Sequence, residues 1–367
     1  AVADINDNAV RSEGAGYGFS VGASWEPDFW GRISAGILAA EADLKASEAD
    51  LQAAELSLAA STAISWYQLK EAVLQQALAV ETLSARERTL QLTERRFRKG
   101  LTAALDVRLA RSAVETAKAQ LSAQKRATGE ARRAIEVLLG RYPSNELTVS
   151  ETFLQLPDLE GAGDPTSLLA RRPDIAAAEA RIAAAGFRVE TARLALKPSL
   201  KLSASLFSSN DDIADLLDPS YLAGQIAASL TAPLYNGGRL KANIEAADAQ
   251  AKITSARYVS TVLTAWQEVE NAIAADALLA EQLESQLRAQ EEAQLAENLA
   301  ERQYQGGLST IFNLIDSQTR RINADSSVIS AQSARAINRV RFHLALGGEL
   351  PQAKALATSL SGDMTNE

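Results

Sequence analysis

An internal duplication constrains this chain more than any other feature. Displaced by 207 residues (Gly31 to Gly238), the sequence matches itself without a gap from residue 31 to residue 140. Gly31-Arg32 falls on Gly238-Arg239, Lys45 on Lys252, and Glu94-Arg95 on Glu301-Arg302. Phe97 falls on Tyr304, Gly100-Leu101-Thr102 on Gly307-Leu308-Ser309, and Leu139-Gly140 on Leu346-Gly347. A chance register does not align glycines, charges and aromatics together, so the fold is built from one unit used twice. The duplication predicts a first repeat over residues 1–140 and a linker over 141–171. A second repeat follows over 172–348, then a tail over 349–367.

Each repeat reads in the same order: an alternating segment, a Pro/Gly-Arg turn, a long helical stretch, a glycine break and a second helical stretch. The long stretch is about 65 residues, which at 1.5 Å per residue spans roughly 100 Å. In the first repeat Ile37, Leu44, Leu51 and Leu58 recur every seven residues, as do Leu83, Leu90 and Phe97. That period predicts coiled-coil-like packing through those side chains. At the breaks, Gly100 and Gly307 supply the left-handed residue that ends a helix. Thr102 and Ser309 are the expected caps of the returning helices. Another helix is expected from about Asp174 to Leu196, opened by Pro173. Two helix-turn-helix tips therefore lie at one end of the long helices.

The chain has no cysteine and one histidine, His343, so thiolate metal sites, disulfides and His-based triads find no residues to build them. No acid, base and nucleophile cluster together, and no catalytic residue, metal site or cofactor is expected. The net charge of −9 argues against nucleic acid as a partner. No apolar stretch reaches the length of a membrane-spanning helix.

Transmembrane strands give a much weaker signal, and three segments carry it. Tyr17, Phe19, Val21, Ala23 and Trp25 alternate with Gly18, Ser20, Gly22 and Ser24. Leu200, Leu202, Ala204 and Leu206 alternate with small polar residues, as do Ile226, Ala228 and Leu230 within Leu222–Leu234. Tyr17, Trp25, Phe29, Trp30, Tyr221 and Tyr235 stand near the ends of these segments, where aromatic girdles belong. A half-buried sheet in water has the same period. Between the second and third segments, Ser208–Pro219 reads as an exposed loop. The second repeat's opening helix and first strand have no counterpart in the first, which predicts a preceding segment of about 45 residues. Four strands cannot close a barrel alone, because open edges are not tolerated in lipid, so several copies are expected to share one.

The turns also resemble a known family. Ser24-Trp25-Glu26-Pro27-Asp28-Phe29-Trp30-Gly31-Arg32 resembles the strand-to-helix turn of TolC/NodT-type outer-membrane factors. Leu168-Leu169-Ala170-Arg171-Arg172-Pro173-Asp174-Ile175, with Ala178-Glu179-Ala180, resembles their mid-chain signature. Ala232-Pro233-Leu234-Tyr235-Asn236-Gly237-Gly238-Arg239 resembles the second turn, and Tyr304 with Gly307-Leu308-Ser309 the tip motif. The likeness runs over residues 17–348. It implies a mainly α fold with membrane β: long helical hairpins in a trimeric α-barrel, joined to a shared twelve-stranded β-barrel. An equatorial region would use 141–171 and the tail. The implied role is the outer-membrane exit duct of a tripartite efflux pump, reaching into the periplasm. Its implied partners are a periplasmic adaptor, an inner-membrane pump of the resistance-nodulation-division class and outer-membrane lipid. An N-terminal lipid anchor, on a cysteine in the preceding segment, is implied as well.

The resemblance further implies an aperture at the tips, ringed by Asn313 and Asp316, with Asn313 standing where the family has aspartate. It pairs Asp106 with Tyr304 as a latch, from which the usual arginine is missing because Ser309 occupies its place. Gly100, Leu101, Thr102, Gly307, Leu308 and Ser309 are the implied adaptor contacts. Two further classes weigh against the duct. A periplasmic adaptor carries one hairpin per chain between β-domains, and a structural coiled coil needs neither the Gly-Arg turns nor the strands. One expectation is independent of any family. Arg86–Lys99 carries a net +4 and Glu281–Arg302 a net −4 at equivalent heights, so the two segments should face each other, directly or through an intervening helix.

Overall fold

The computed structural model describes residues 16–150, 153, 171–210, 212–215 and 217–348. In chain order the elements are β1 (Tyr17–Trp25), α1 (Arg32–Arg98), α2 (Ala104–Leu138), α3 (Pro173–Leu194), β2 (Ser199–Asn210), β3 (Ala223–Thr231), α4 (Arg239–Gln305) and α5 (Ile311–Ala345). The duplication survives at the level of single residues. α1 and α4 each have 67 residues and α2 and α5 each have 35, with both ends of every pair offset by 207. Left-handed glycines recur at the same offset: Gly31 and Gly238, Gly100 and Gly307, Gly140 and Gly347. No helix among the described residues is long and apolar enough to cross a membrane.

The chain divides into two compact units, one of Ala1–Lys45 with Glu179–Arg257 and one of Ala46–Ala178 with Tyr258–Glu367. The first unit holds the sheet, antiparallel in the order β1-β2-β3. Its register opposes Val21 to Leu206 and Trp25 to Leu202, then Leu200 to Leu230 and Ala204 to Ile226. Side chains alternate across a strand, so these residues share one apolar face with Tyr17 and Phe19. Serines, small residues, Gln225, Lys201 and Phe207 share the other, and Ser208 and Asn210 interrupt the apolar face at the far end of β2. β2 is longer than expected. Ser208, Ser209 and Asn210 pair with Phe19, Gly18 and Tyr17 instead of joining the loop. β3 is shorter, ending two residues before Pro233, which has no N–H for a ladder.

Local chemistry explains the Glu26–Arg32 turn. Asp28 accepts from the Ile33 and Ser34 amides at 3.0 and 2.7 Å and so caps α1, while Arg32 pairs with Glu26 at 2.7 Å. The Ser34 hydroxyl, Ser34 amide and neighbouring amides hold the Asp28 carboxyl below its ordinary range, overcoming a slight desolvation. The Trp30 indole donates to the Pro198 carbonyl at 2.8 Å, and the Lys197 ammonium stands 5.5 Å from its ring centre. Arg188–Asp43 and Arg193–Asp248 tie α3 to α1 and α4.

The buried residues in the first turns of α1 are small. Ala35, Ala39, Ala42 and Ala46 are buried on α1, whereas the expected stripe is not: Ile37, Leu44, Leu51 and Leu58 are 52–61% exposed. The seven-residue period is right but the face is wrong. Alanine lets helix axes approach closely, so within one copy the alanine seam packs and the leucine stripe is left outside.

In the second unit α1 packs on α5, and α5 on α4. Gln75 bonds Ser326 through both its amide atoms, and Ser330 donates to Glu71 at 2.6 Å. Asn338 donates to the Ala272 carbonyl at 2.8 Å, beside a cluster of Val269, Ala272, Phe342 and Ala345. The Arg-Arg-Pro-Asp motif has a structural use here. Buried Arg172 reaches Asp174 and Glu268 at 2.8 Å and the Ala345 carbonyl at 3.0 Å, pinning the starts of α3 and the ends of α5 to α4. After α2, the chain folds back so that the amides of Asn145, Glu146 and Leu147 donate to the buried Glu136 carboxylate at 2.8–3.1 Å. Burial opposes that charge, yet the three donors and Arg132 outweigh it and hold the carboxyl below its ordinary range. Of the linker and tail expected over 141–171 and 349–367, residues 151, 152, 154–170 and 349–367 lie outside the described residues.

Candidate functional site at the helix tips

Both tips form by one mechanism. At the end of α1, the Leu101 amide donates to the Arg96 carbonyl at 2.9 Å and the Gly100 amide to Phe97 at 2.9 Å. At the end of α4, Leu308 donates to Gln303 at 2.8 Å and Gly307 to Tyr304 at 3.1 Å. This six-to-one, five-to-two pair is the Schellman termination, and it requires the left-handed residue that Gly100 and Gly307 provide at φ 72° and 77°.

The caps differ from expectation by one residue. Thr310, not Ser309, caps α5 by accepting from the Asn313 amide at 3.4 Å, and its counterpart Ala103 caps α2 with no side chain. Thr102 and Ser309 bond forward by one turn instead. The Thr102 hydroxyl donates to the Asp106 carboxylate, and the Asn313 amide donates to the Ser309 hydroxyl at 3.2 Å. Asp106 and Asn313 are equivalent positions, so the duplication keeps the contact and reverses its donor. A carboxylate can only accept, whereas an amide nitrogen donates.

Within one chain Asp106 and Tyr304 do not pair with each other, contrary to the expected latch. Tyr304 is 2% exposed and its hydroxyl lies 2.9 Å from Thr93 Oγ1, in a cluster with Ala300, Ile311 and Leu314. Arg96 lies 5.1 Å from the Tyr304 ring centre and donates to the Tyr304 and Gln305 carbonyls at 2.9 and 3.0 Å. Arg96 thereby ties the first tip to the carbonyls at the end of α4. Sequence reading missed Thr93 and Arg96. The asymmetry of Phe97 against Tyr304 was the available signal, since a buried phenol needs a partner.

Asp316, one turn beyond Asn313, is exposed and accepts from Arg320 Nε at 2.8 Å. Farther along, α5 stands between α1 and α4. Arg321 on α5 is 7% exposed by its side chain and meets Glu297 of α4, Glu81 of α1 at 3.2 Å and Asp325 at 2.6 Å. Arg86 takes Gln318 at 2.7 Å and Thr319 at 2.8 Å, and burial lowers its basicity. Both charged segments touch α5, Arg86 through the neutral Gln318 and Thr319 and Glu297 through Arg321, but no ion pair joins the two segments among the described residues. From Asp316 to Ser330 the exposed positions of α5, including Arg320, Asn323, Ser327 and Ser330, are polar.

Two turned tips, a polar helix stripe and a sheet with one apolar face match a known group of proteins. The profile of the outer membrane efflux protein family matches residues 3–141 and 165–348. The chain belongs to that family. The pyoverdine export outer membrane protein OpmQ of Pseudomonas aeruginosa is 36% identical over 349 residues, which are 94% of this chain and 72% of OpmQ. The toluene efflux pump outer membrane protein TtgF of Pseudomonas putida is 29% identical over 346 residues, 94% of this chain and 72% of TtgF. The open-state outer membrane channel MtrE of Neisseria gonorrhoeae superposes with a TM-score of 0.76 at 27% identity, covering 92% of this chain and 80% of MtrE. The chain is thus an outer-membrane efflux protein, a channel that crosses the outer membrane and reaches into the periplasm.

Proposed function

We propose that this chain is the passive exit duct of a tripartite pump, working as a homotrimer that catalyses nothing. Its cargo arrives from an inner-membrane transporter of the resistance-nodulation-division class through a periplasmic adaptor docked at the tips. The observation that carries this reading is the sheet. β1, β2 and β3 present an almost unbroken apolar face, and β1 and β3 each leave one edge unpaired among the described residues. Unpaired edges are not tolerated in lipid, so strands of neighbouring copies must complete a closed barrel. The exposed leucine stripe of α1 supports the same assembly, because a heptad seam left bare on one copy needs another copy to cover it. Passivity is supported by the relatives: OpmQ is named for pyoverdine export and TtgF for toluene efflux, two unlike cargoes. A duct that leaves selection to its pump serves both.

In this reading Asp316 and Asn313 ring the aperture on the polar stripe of α5. The two tips of one chain are held together by Tyr304 on Thr93 and by Arg96 on the Tyr304 and Gln305 carbonyls. Imaging single particles of the detergent-purified protein tests the assembly. A threefold tube capped by a detergent-bound barrel is expected, and a detergent-free monomer or two-chain rod would replace the duct with an adaptor or coiled-coil reading.

A further inference from the structure

The two strand-to-helix turns are equivalent by the repeat and unlike in charge. In the first, Asp28 accepts from the Ile33 and Ser34 amides at 3.0 and 2.7 Å, and Arg32 has Glu26 as its partner at 2.7 Å. In the second, Arg239 stands at the position of Arg32, Pro233 at that of Glu26 and Tyr235 at that of Asp28. Arg239 has no ion pair among the described residues. α4 therefore opens with Arg239 and Lys241 and with no carboxylate in its first turn. That is the end at which the helix dipole favours anions and disfavours cations. The cap there is the neutral Asn236, whose Oδ1 accepts from the Leu240 amide at 3.4 Å and whose carbonyl accepts from the Arg239 amide at 3.3 Å.

Asn236 is followed by Gly237, and this is the single Asn-Gly pair in the sequence. An asparagine side chain can be attacked by the amide nitrogen of the next residue. A glycine in that position, having no Cβ in the way, allows the attack most readily. The turn meets the conditions. Leu234 and Tyr235 beside it are 97% and 91% exposed, and a Cβ at Gly237 would meet nothing within 4 Å. Among the described residues neither the Gly237 amide nor Asn236 Nδ2 donates a hydrogen bond, so neither atom is held away from the reaction.

We propose that Asn236 is a self-modification site, converting to a carboxylate that supplies the charge the second turn lacks. The Gly237 nitrogen bonds to Asn236 Cγ, the Cγ–Nδ2 bond breaks, and ammonia leaves with the proton of the Gly237 amide. Water then opens the resulting five-membered imide, and no oxidant or reductant is involved. Opening at Cγ restores the main chain and leaves aspartate, whereas opening at the main-chain carbonyl leaves isoaspartate. The aspartate sets a full negative charge at the start of α4, three residues before Arg239, as Asp28 and Glu26 do for α1 and Arg32. The inference is independent of what the channel conducts or docks.

The test incubates the full chain in detergent micelles, in mildly alkaline heavy-oxygen water, and follows the peptide around Asn236 by mass spectrometry. The expected result is exchange of the side-chain nitrogen for one solvent oxygen, faster at Asn236 than at any other asparagine and slower in mildly acidic buffer. Gly237→Ala should slow it several-fold. Because a side chain at φ 65° strains that turn, Asn236→Gln is the second control: its ring would need six members and should close far more slowly. Asn236→Asp should raise the temperature at which helicity is lost. An Asn236 that stays intact in the folded chain while it converts in the urea-unfolded chain overturns the proposal, as does a rate that both substitutions leave unchanged. Isoaspartate as the only product, or a thermal transition that Asn236→Asp leaves unchanged or lowers, overturns the capping role.

Discussion

At the residue scale, what a side chain can do was legible, but which partner it finds was not. Asp106, Tyr304, Asn313 and Asp316 could be singled out at the tips because their positions match a family pattern, although Asn313 departs from it in type. That Tyr304 spends its hydroxyl on Thr93 and Asp106 accepts from Thr102 depends on which helix faces which, and 211 residues separate Thr93 from Tyr304. Arg320 is a similar case. Its bond to Asp316 is exposed, so it adds little stability, but it sets a cation beside the carboxylate proposed for the aperture. Asp316→Ala would leave Arg320 uncompensated. The expected outcome in a planar bilayer is a larger conductance and a reversal potential shifted toward anions. An unchanged conductance and selectivity would remove Asp316 from the gate.

At the element scale, helix ends are the best-determined features, because their chemistry is local. α1, α2, α4 and α5 each stop at a glycine with positive φ: Gly100, Gly140, Gly307 and Gly347. A Cβ at Gly100 would meet nothing within 4 Å, so the cost of a side chain there is backbone strain alone. Gly100→Ala should therefore destabilise the channel by about 1 kcal/mol. Gly36, inside α1 with ordinary dihedrals and equally open space, makes the comparison. Gly36→Ala should stabilise by up to about 1 kcal/mol, since glycine is the poorer helix former. Thermal loss of helicity should shift in opposite directions for the two variants, and shifts of one sign would undo the argument. The caps were read one residue early, at Thr102 and Ser309, because a run of small hydroxyl residues offers several candidates and only the backbone trace chooses.

At the scale of the whole molecule, the leucine stripe is the clearest lesson. Its seven-residue period announced a packed seam, yet the seam inside one copy is built from Ala35, Ala39, Ala42 and Ala46. Periodicity reports that a face is apolar and is silent on what covers it. Leu51→Glu with Leu58→Glu should abolish the threefold assembly in detergent while leaving the helicity of each chain intact, as read by native mass spectrometry and circular dichroism. A persistent trimer would mean that the stripe faces something other than a neighbouring copy.

The amino-acid sequence by itself determined the duplication, the lengths and ends of four helices, the alternation of the strands and the family. All of these are set by local backbone preference and by repetition along the chain. Only the tertiary structure decided that alanines form the inner seam and that Arg172 and Arg321 are buried pins. It alone turned Tyr304 to Thr93 and joined the two tips through Arg96. Each of these depends on contacts between segments far apart in sequence, where many pairings satisfy the same periodicity and close packing selects one.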